Sequence, residues 1–233
     1  MSDIASHLDT VRRRIEQAAL AAHRPASSVA LMAVSKTFPA DAVRDAYAHG
    51  QTVFGESYLQ EALQKMDTLA DLRASLAWHF IGPVQSNKTR PIAERFDWVH
   101  SVDRLKIAER LAAQRPEALA PLNICLQVNI SGESTKSGLA VDEVVSVANA
   151  IGALPRLRLR GLMAIPEPAE TLDAQRLPFR AMGALFDTLR HAGHEVDTLS
   201  MGMSADLEAA VLEGATIVRI GTAVFGTRDY ATH

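Results

Sequence analysis

Cysteine is nearly missing from this chain: of 233 residues, only Cys125 is one. A lone cysteine forms no internal disulfide, which points to a reducing compartment, and its place in an apolar run makes it a small core residue. Long apolar runs are missing too. No stretch approaches the roughly 18 residues of a membrane-spanning helix, and the charged N-terminus has no apolar core of a secretory leader. Nor does one sign of charge dominate, since the formal net charge is −3 with acids and bases interspersed. That excludes the basic face of a nucleic-acid binder and the polybasic stretch of a membrane-surface protein. The histidines lack metal-ligand spacing, and His191 with His194 falls near a helix end. No glycine-flanked serine elbow marks a hydrolase, and no glycine-rich first turn marks a dinucleotide site. These absences predict a soluble, cytoplasmic protein with no metal centre.

What is present is an alternation. Ile4, Leu8, Val11, Ile15, Ala18 and Ala22 recur at three- and four-residue steps, one face of an opening helix that Pro25 follows. Apolar, β-branched runs then stand at Leu31–Val34, Thr52–Gly55, His79–Gly82, Trp98–Val102, Asn123–Ile130, Leu157–Ile165, Thr198–Met203 and Ile217–Phe225. Helical patterns separate them at Ala40–His49, Leu59–Leu72, Lys88–Arg95, Arg104–Gln114, Val141–Gly152, Arg176–Ala192 and Ala205–Glu213. Eight strands alternating with helices predict parallel pairing and an α/β fold, a single (β/α)8 TIM barrel with an extra N-terminal helix. An open doubly wound sheet is the alternative. Neither Ser131–Gly138 nor Pro166–Leu177 is long enough to link two folding units, so residues 1–233 read as one domain.

In a parallel barrel the site lies where the strands end. The first strand, Leu31–Val34, runs out through Ser35 into Lys36. An ammonium at the mouth of a buried strand is costly unless it is paired or neutralised, and one neutralising reaction is covalent bonding to an aldehyde. Lysines that do this sit where desolvation lowers the amine pKa. By itself the segment also fits a strand that simply exits into solvent. The last two strands add an anion site: Ser204 stands at a helix start with Asp206 in its first turn, and Gly221-Thr222 follows the eighth strand. Glycine lets backbone N–H groups approach an anion, and the hydroxyls add donors. Capping by Ser204 and a plain turn at Gly221 are the bland alternatives. Arg219 alternates onto one face with Gly221 and Ala223. A guanidinium there needs an acceptor, either a carboxylate such as Glu56 or Asp103, or a ring nitrogen on a bound cofactor.

An aldehyde-reactive lysine, an anion cup and an arginine between them describe a pyridoxal 5′-phosphate site. The chain resembles the pyridoxal phosphate homeostasis protein family, relatives of the barrel domain of alanine racemase. The resemblance runs through nearly the whole chain. It is carried by Ala33-Val34-Ser35-Lys36-Thr37, Phe54-Gly55-Glu56, Trp78-His79-Phe80-Ile81-Gly82, Gln85-Ser86-Asn87-Lys88, Gln127-Val128-Asn129-Ile130, Lys136-Ser137-Gly138, Gly161-Leu162-Met163-Ala164-Ile165, Leu199-Ser200-Met201-Gly202-Met203-Ser204 and Arg219-Ile220-Gly221-Thr222. It implies that Lys36 is the Schiff-base lysine, that Ser204, Gly221 and Thr222 hold the phosphate, that Arg219 faces the pyridine nitrogen and that Met203 flanks the cofactor. Two positions depart from the family pattern: Ser57 replaces an asparagine, and Pro83 replaces a histidine and removes a backbone donor.

The same resemblance implies a carrier rather than an enzyme. Arginine does not give its proton to the pyridine nitrogen, so the ring is a weaker electron sink than one paired with a carboxylic acid. Racemisation needs an acid and a base on opposite faces of the substrate. Lys36 serves one face, while the racemase takes its second base, a tyrosine, from a β domain with no counterpart here; Tyr58 and Tyr230 are the substitutes on offer. The expectation is a monomer that holds pyridoxal phosphate without catalysis and passes it to apo-enzymes. An amino-acid racemase is the alternative. Lys88 and Lys136 are the other lysines placed to anchor the cofactor.

Overall fold

A computed structural model of the chain describes residues 3–132 and 137–227. Its strands are β1 (Ala30–Val34), β2 (Val53–Glu56), β3 (Ala77–Phe80), β4 (Trp98–Val102), β5 (Leu122–Gln127), β6 (Leu157–Met163), β7 (Thr198–Ser200) and β8 (Ile217–Ile220). They pair in chain order, all parallel, and β8 closes on β1. This is the expected barrel, with Lys36, His79, His100, Ser200 and Arg219 all on or just beyond strands. Helices α1 (Asp3–Ala21), α2 (Ala40–Ala48), α3 (Leu59–Thr68), α4 (Thr89–Arg95), α5 (Leu105–Gln114), α6 (Val144–Gly152), α7 (Leu172–His191), α8 (Leu207–Leu212) and α9 (Thr222–Phe225) surround it.

Each helix buries one apolar stripe. In α1 that stripe is Leu8, Val11, Ile15 and Ala18 with Ala19. Arg14 of α1 reaches Glu208 of α8 with two bonds, 2.7 and 2.9 Å. The His7 ring lies 3.1 Å from the Val224 carbonyl of α9. The additional N-terminal helix is thereby docked beside the last two βα units. Cys125 is fully buried on β5, and burial pushes its thiol pKa up, as a core residue requires. Gly161 marks an irregularity in β6, where pairing with β5 skips a residue between Leu159 and Gly161. Its φ of 152° suits glycine, and a Cβ there would run into the Thr198 carbonyl.

Most expected boundaries moved by a few residues, those of the seventh and eighth strands and of α7 among them. The eighth strand was expected to reach Phe225 but stops at Ile220, and Thr222–Phe225 turns into α9. Pairing explains this: Ile220 is opposite Ala33 of β1, and Ser200, the last residue of β7, is already opposite Ile217. Beyond Ile220, β7 has ended and β1 extends by only one residue, Val34, so Val224 is buried by helix packing instead. The seventh strand likewise ends at Ser200 rather than Met203. Helix α7 starts four residues earlier than Arg176, because the Thr171 hydroxyl accepts from the Ala174 N–H at 3.3 Å. Pro178, which reads as a first-turn residue, therefore lies inside the helix.

Candidate functional site

Six residues singled out in the sequence converge. Lys36, Met203, Ser204, Arg219, Gly221 and Thr222 line one cavity of about 300 Å³ at the C-terminal ends of the strands. That volume is at the lower end of ordinary small-molecule sites, roughly 300–1,000 Å³. Ser57, one of the two departures from the family pattern, is on the same wall. Gly82 brings it there, since a Cβ at Gly82 would strike the Ser57 carbonyl. Pro83 faces a neighbouring cavity of about 360 Å³ that shares Ile81 and Ile165 with the first.

The β1 end is braced from below. Ser35 is fully buried; its N–H donates to the Gly55 carbonyl at 3.0 Å and its hydroxyl to Glu56 Oε1 at 2.6 Å. Lys65 of α3 donates to the Ser35 carbonyl, to Glu56 Oε1 and to Glu61 Oε1 at 2.8, 2.5 and 3.0 Å. Glu61 Oε1 also accepts from the Thr37 N–H at 2.6 Å. Thr37 has φ 70°, a left-handed conformation that a β-branched residue rarely adopts. Lys36 is thus carried between two fixed backbone positions, and is itself half-buried. Burial pushes the Glu56 carboxyl up from its ordinary range, with Lys65 and Ser35 pulling against it.

Arg219 is buried, and its partners differ from the carboxylates that the sequence offered. Glu56 is taken by Lys65, and Asp103 by Arg104. The guanidinium instead donates to the Ser200 carbonyl at 2.6 Å, to the Ser200 hydroxyl at 2.9 Å and to the Ala164 carbonyl at 2.9 Å. Burial lowers its pKa to about 10, opposed by the Asp206 carboxylate, so it remains a cation at neutral pH. Behind it the Ser200 hydroxyl is 2.8 Å from His100 Nδ1, and His100 Nε2 is 2.8 Å from His79 Nδ1. The ring of His79 stacks on Trp98, centroids 5.1 Å apart. Burial drives the His79 pKa down to about 3 and holds His100 well below the ordinary range, with His79 and Arg219 adding repulsion. Both imidazoles are neutral at physiological pH.

Ser204 is not the helix cap that its position suggested. The cap position of α8 falls on Asp206, whose Oδ1 accepts from the Met203 N–H at 2.5 Å. The Ser204 carbonyl accepts from Arg14 at 3.1 Å. Among the other residues considered, Lys88 closes the short turn before α4 and does not line the cavity. Tyr58 is 54% exposed and also lies off the cavity wall. Lys136 and Tyr230 lie outside the described residues. His191 and His194 meet the Asp187 carbonyl and Asn149, away from the strand ends. Among the described residues no group of His, Cys, Asp or Glu is arranged to hold a metal ion, and no helix is long and apolar enough to cross a membrane.

The buried chain behind Arg219 was not read from the sequence as a unit. Its signal was there in part, since His79, His100 and Ser200 all belong to strand-end segments. Their convergence depends on which face of each strand turns inward.

The family model described as alanine racemase, N-terminal domain, matches residues 6–229. A protein of Pseudomonas aeruginosa named pyridoxal phosphate homeostasis protein is 61% identical over 230 residues, covering 99% of this chain and 98% of the relative. A protein of the same name from Escherichia coli K12 is 50% identical, covering 99% of each. The structure of PipY from Synechococcus elongatus with pyridoxal phosphate bound superimposes with a TM-score of 0.84 at 38% identity, covering 96% of this chain and 100% of PipY.

Proposed function

Because the chain belongs to the alanine racemase N-terminal-domain family, and within it to the pyridoxal phosphate homeostasis proteins, we propose that it binds pyridoxal 5′-phosphate and serves vitamin B6 homeostasis as a non-catalytic carrier. One observation carries this reading: a lysine, a buried arginine, two hydroxyls and a glycine from the first, seventh and eighth βα units line a single cavity. The donor set fits the cofactor. It comprises one primary amine, one permanent cation and hydroxyl donors where an anion would rest. When bound, the cofactor supplies an aldehyde that joins reversibly to a primary amine.

In this reading Lys36 is that amine. The Ser35–Glu56–Lys65 brace holds the Lys36 backbone in place. Ser204 and Thr222 donate to the phosphate, and Gly221 lets the chain pass close to it. Arg219 donates to the ring nitrogen and keeps it unprotonated, because a guanidinium has no proton to yield at neutral pH. Met203 flanks the ring. Tyr58, one candidate for a second base, does not line the cavity. The protein acts as one barrel domain, as a cytoplasmic monomer, and hands cofactor to apo-enzymes.

The test is direct. Purified protein is mixed with pyridoxal phosphate, its visible absorbance is recorded, and the adduct is reduced with borohydride and mapped. A label on the Lys36 peptide is expected, and Lys36→Ala loses both band and label. A label on Lys88 or Lys136 instead overturns the assignment. Incubation of the loaded protein with L-alanine in D2O is expected to give neither D-alanine nor α-proton exchange. Sustained turnover would make it a racemase.

A further inference from the structure

Arginine is a donor only, and this gives the buried chain behind Arg219 a direction. Arg219 Nη1 donates to the Ser200 hydroxyl oxygen. The Ser200 side chain is fully buried, so its own hydrogen also needs an acceptor. The acceptor in reach is His100 Nδ1, at 2.8 Å. His100 then carries its proton on Nε2, which donates to His79 Nδ1 at 2.8 Å, and His79 carries its own on Nε2. The opposite arrangement puts a proton on His100 Nδ1 and strands the Ser200 hydrogen in the core, a costly unsatisfied donor.

We propose that His100 is a positioning residue for Arg219: it acts through Ser200 in a one-way chain, Arg219 to Ser200 to His100 to His79, that sets which guanidinium hydrogens are left for a ligand. A guanidinium has five N–H donors. Three are spent on the Ser200 carbonyl, the Ser200 hydroxyl and the Ala164 carbonyl, and five less three leaves two. Those two serve an acceptor in the cavity that Arg219 lines. Because a guanidinium only donates, the ligand atom it meets is an acceptor, and an aromatic nitrogen placed there stays unprotonated. The assignment of that nitrogen to pyridoxal phosphate rests on the function proposed above; the direction of the chain does not.

Two measurements decide it. In cofactor-free wild-type protein with 15N-labelled histidine, NMR is expected to show His100 with a protonated Nε2 and a bare Nδ1, and His79 likewise. Ser200→Ala removes the hydrogen that holds His100 Nδ1 and is expected to let the second tautomer appear. A wild-type His100 protonated at Nδ1 overturns the proposal. In the second measurement, Ser200→Ala and His100→Leu are loaded with pyridoxal phosphate. Each is expected to shift the visible band and retain the cofactor about tenfold less well, the scale of one charge-assisted hydrogen bond. His100→Asn, whose amide supplies an acceptor and a donor in the same order, is expected to restore both. Should His100→Leu fail to fold, the histidine tautomers of the wild type and of Ser200→Ala decide alone. If the wild type forms the band and the variants leave its position and retention untouched, the positioning role is wrong. If the wild type forms no band, the cofactor reading fails while the histidine tautomers still decide the chain's direction.

Discussion

The Lys65 ammonium is 2.5 Å from Glu56 Oε1, and both side chains are sealed from solvent, 3% and 0% exposed. This pair sits directly beneath Lys36. Its third member is the Ser35 carbonyl, 2.8 Å from Lys65 Nζ, so the charge pair also holds the strand end from which Lys36 projects. Lys65, a buried lysine close to Lys36, has its charge occupied by Glu56, Glu61 and the Ser35 carbonyl.

Lys65→Met is expected to destabilise the protein by about 3–5 kcal/mol, because it leaves the Glu56 carboxylate buried without a counter-charge. Urea unfolding measures this. Combined with Glu56→Gln, the loss should be smaller than the sum of the two single losses, since the double variant buries no lone charge. Additive losses would mean that the pair is not coupled.

Stability should fall as the medium is acidified below the ordinary histidine pKa. His79 has a folded pKa of about 3 and His100 is also depressed, whereas in the unfolded chain both titrate near 6.5. The unfolded state therefore binds more protons between these values, and the folded state loses stability as pH falls through that window. Each histidine contributes up to roughly 1.4 kcal/mol per pH unit. Urea midpoints compared at pH 7.5 and pH 5 should show a steeper loss for the wild type than for His79→Gln. Equal slopes would mean that the rings are not held neutral.

Ser204→Ala and Thr222→Val should each weaken pyridoxal phosphate binding about ten- to hundredfold, the scale of one hydrogen bond to an anion. Spectral titration reads the affinity. Pyridoxal, which lacks the phosphate, should bind wild type and variants alike. A matching loss for pyridoxal would move both hydroxyls away from the anion.

The periodic parts of the chain were legible before folding. All eight strands and the N-terminal helix stand where apolar alternation places them, and Trp98–Val102 is found with the expected bounds. Lys36 could be picked out because it closes an apolar run, and Arg219 because it interrupts one. The errors came where local pattern and pairing disagree. Ala223-Val224-Phe225 reads as strand by composition, yet no neighbouring strand remains to pair with it. Ser204 reads as a cap by residue type, yet Asp206 stands nearer the helix and takes the cap position.

Residue order alone determined that this chain alternates strand and helix and that its unusual polar residues collect at strand ends, because burial imprints a period on neighbouring side chains. Only closure of the sheet decided what those residues bond to. Arg219 met Ser200 and Ala164 rather than an acid, and Lys65 met Glu56 beneath Lys36. His79 and His100 became one neutral chain across adjacent strands. Such contacts join positions 9 to 100 residues apart, and no local rule encodes which inward-facing group lies within hydrogen-bond reach once eight strands share one interior.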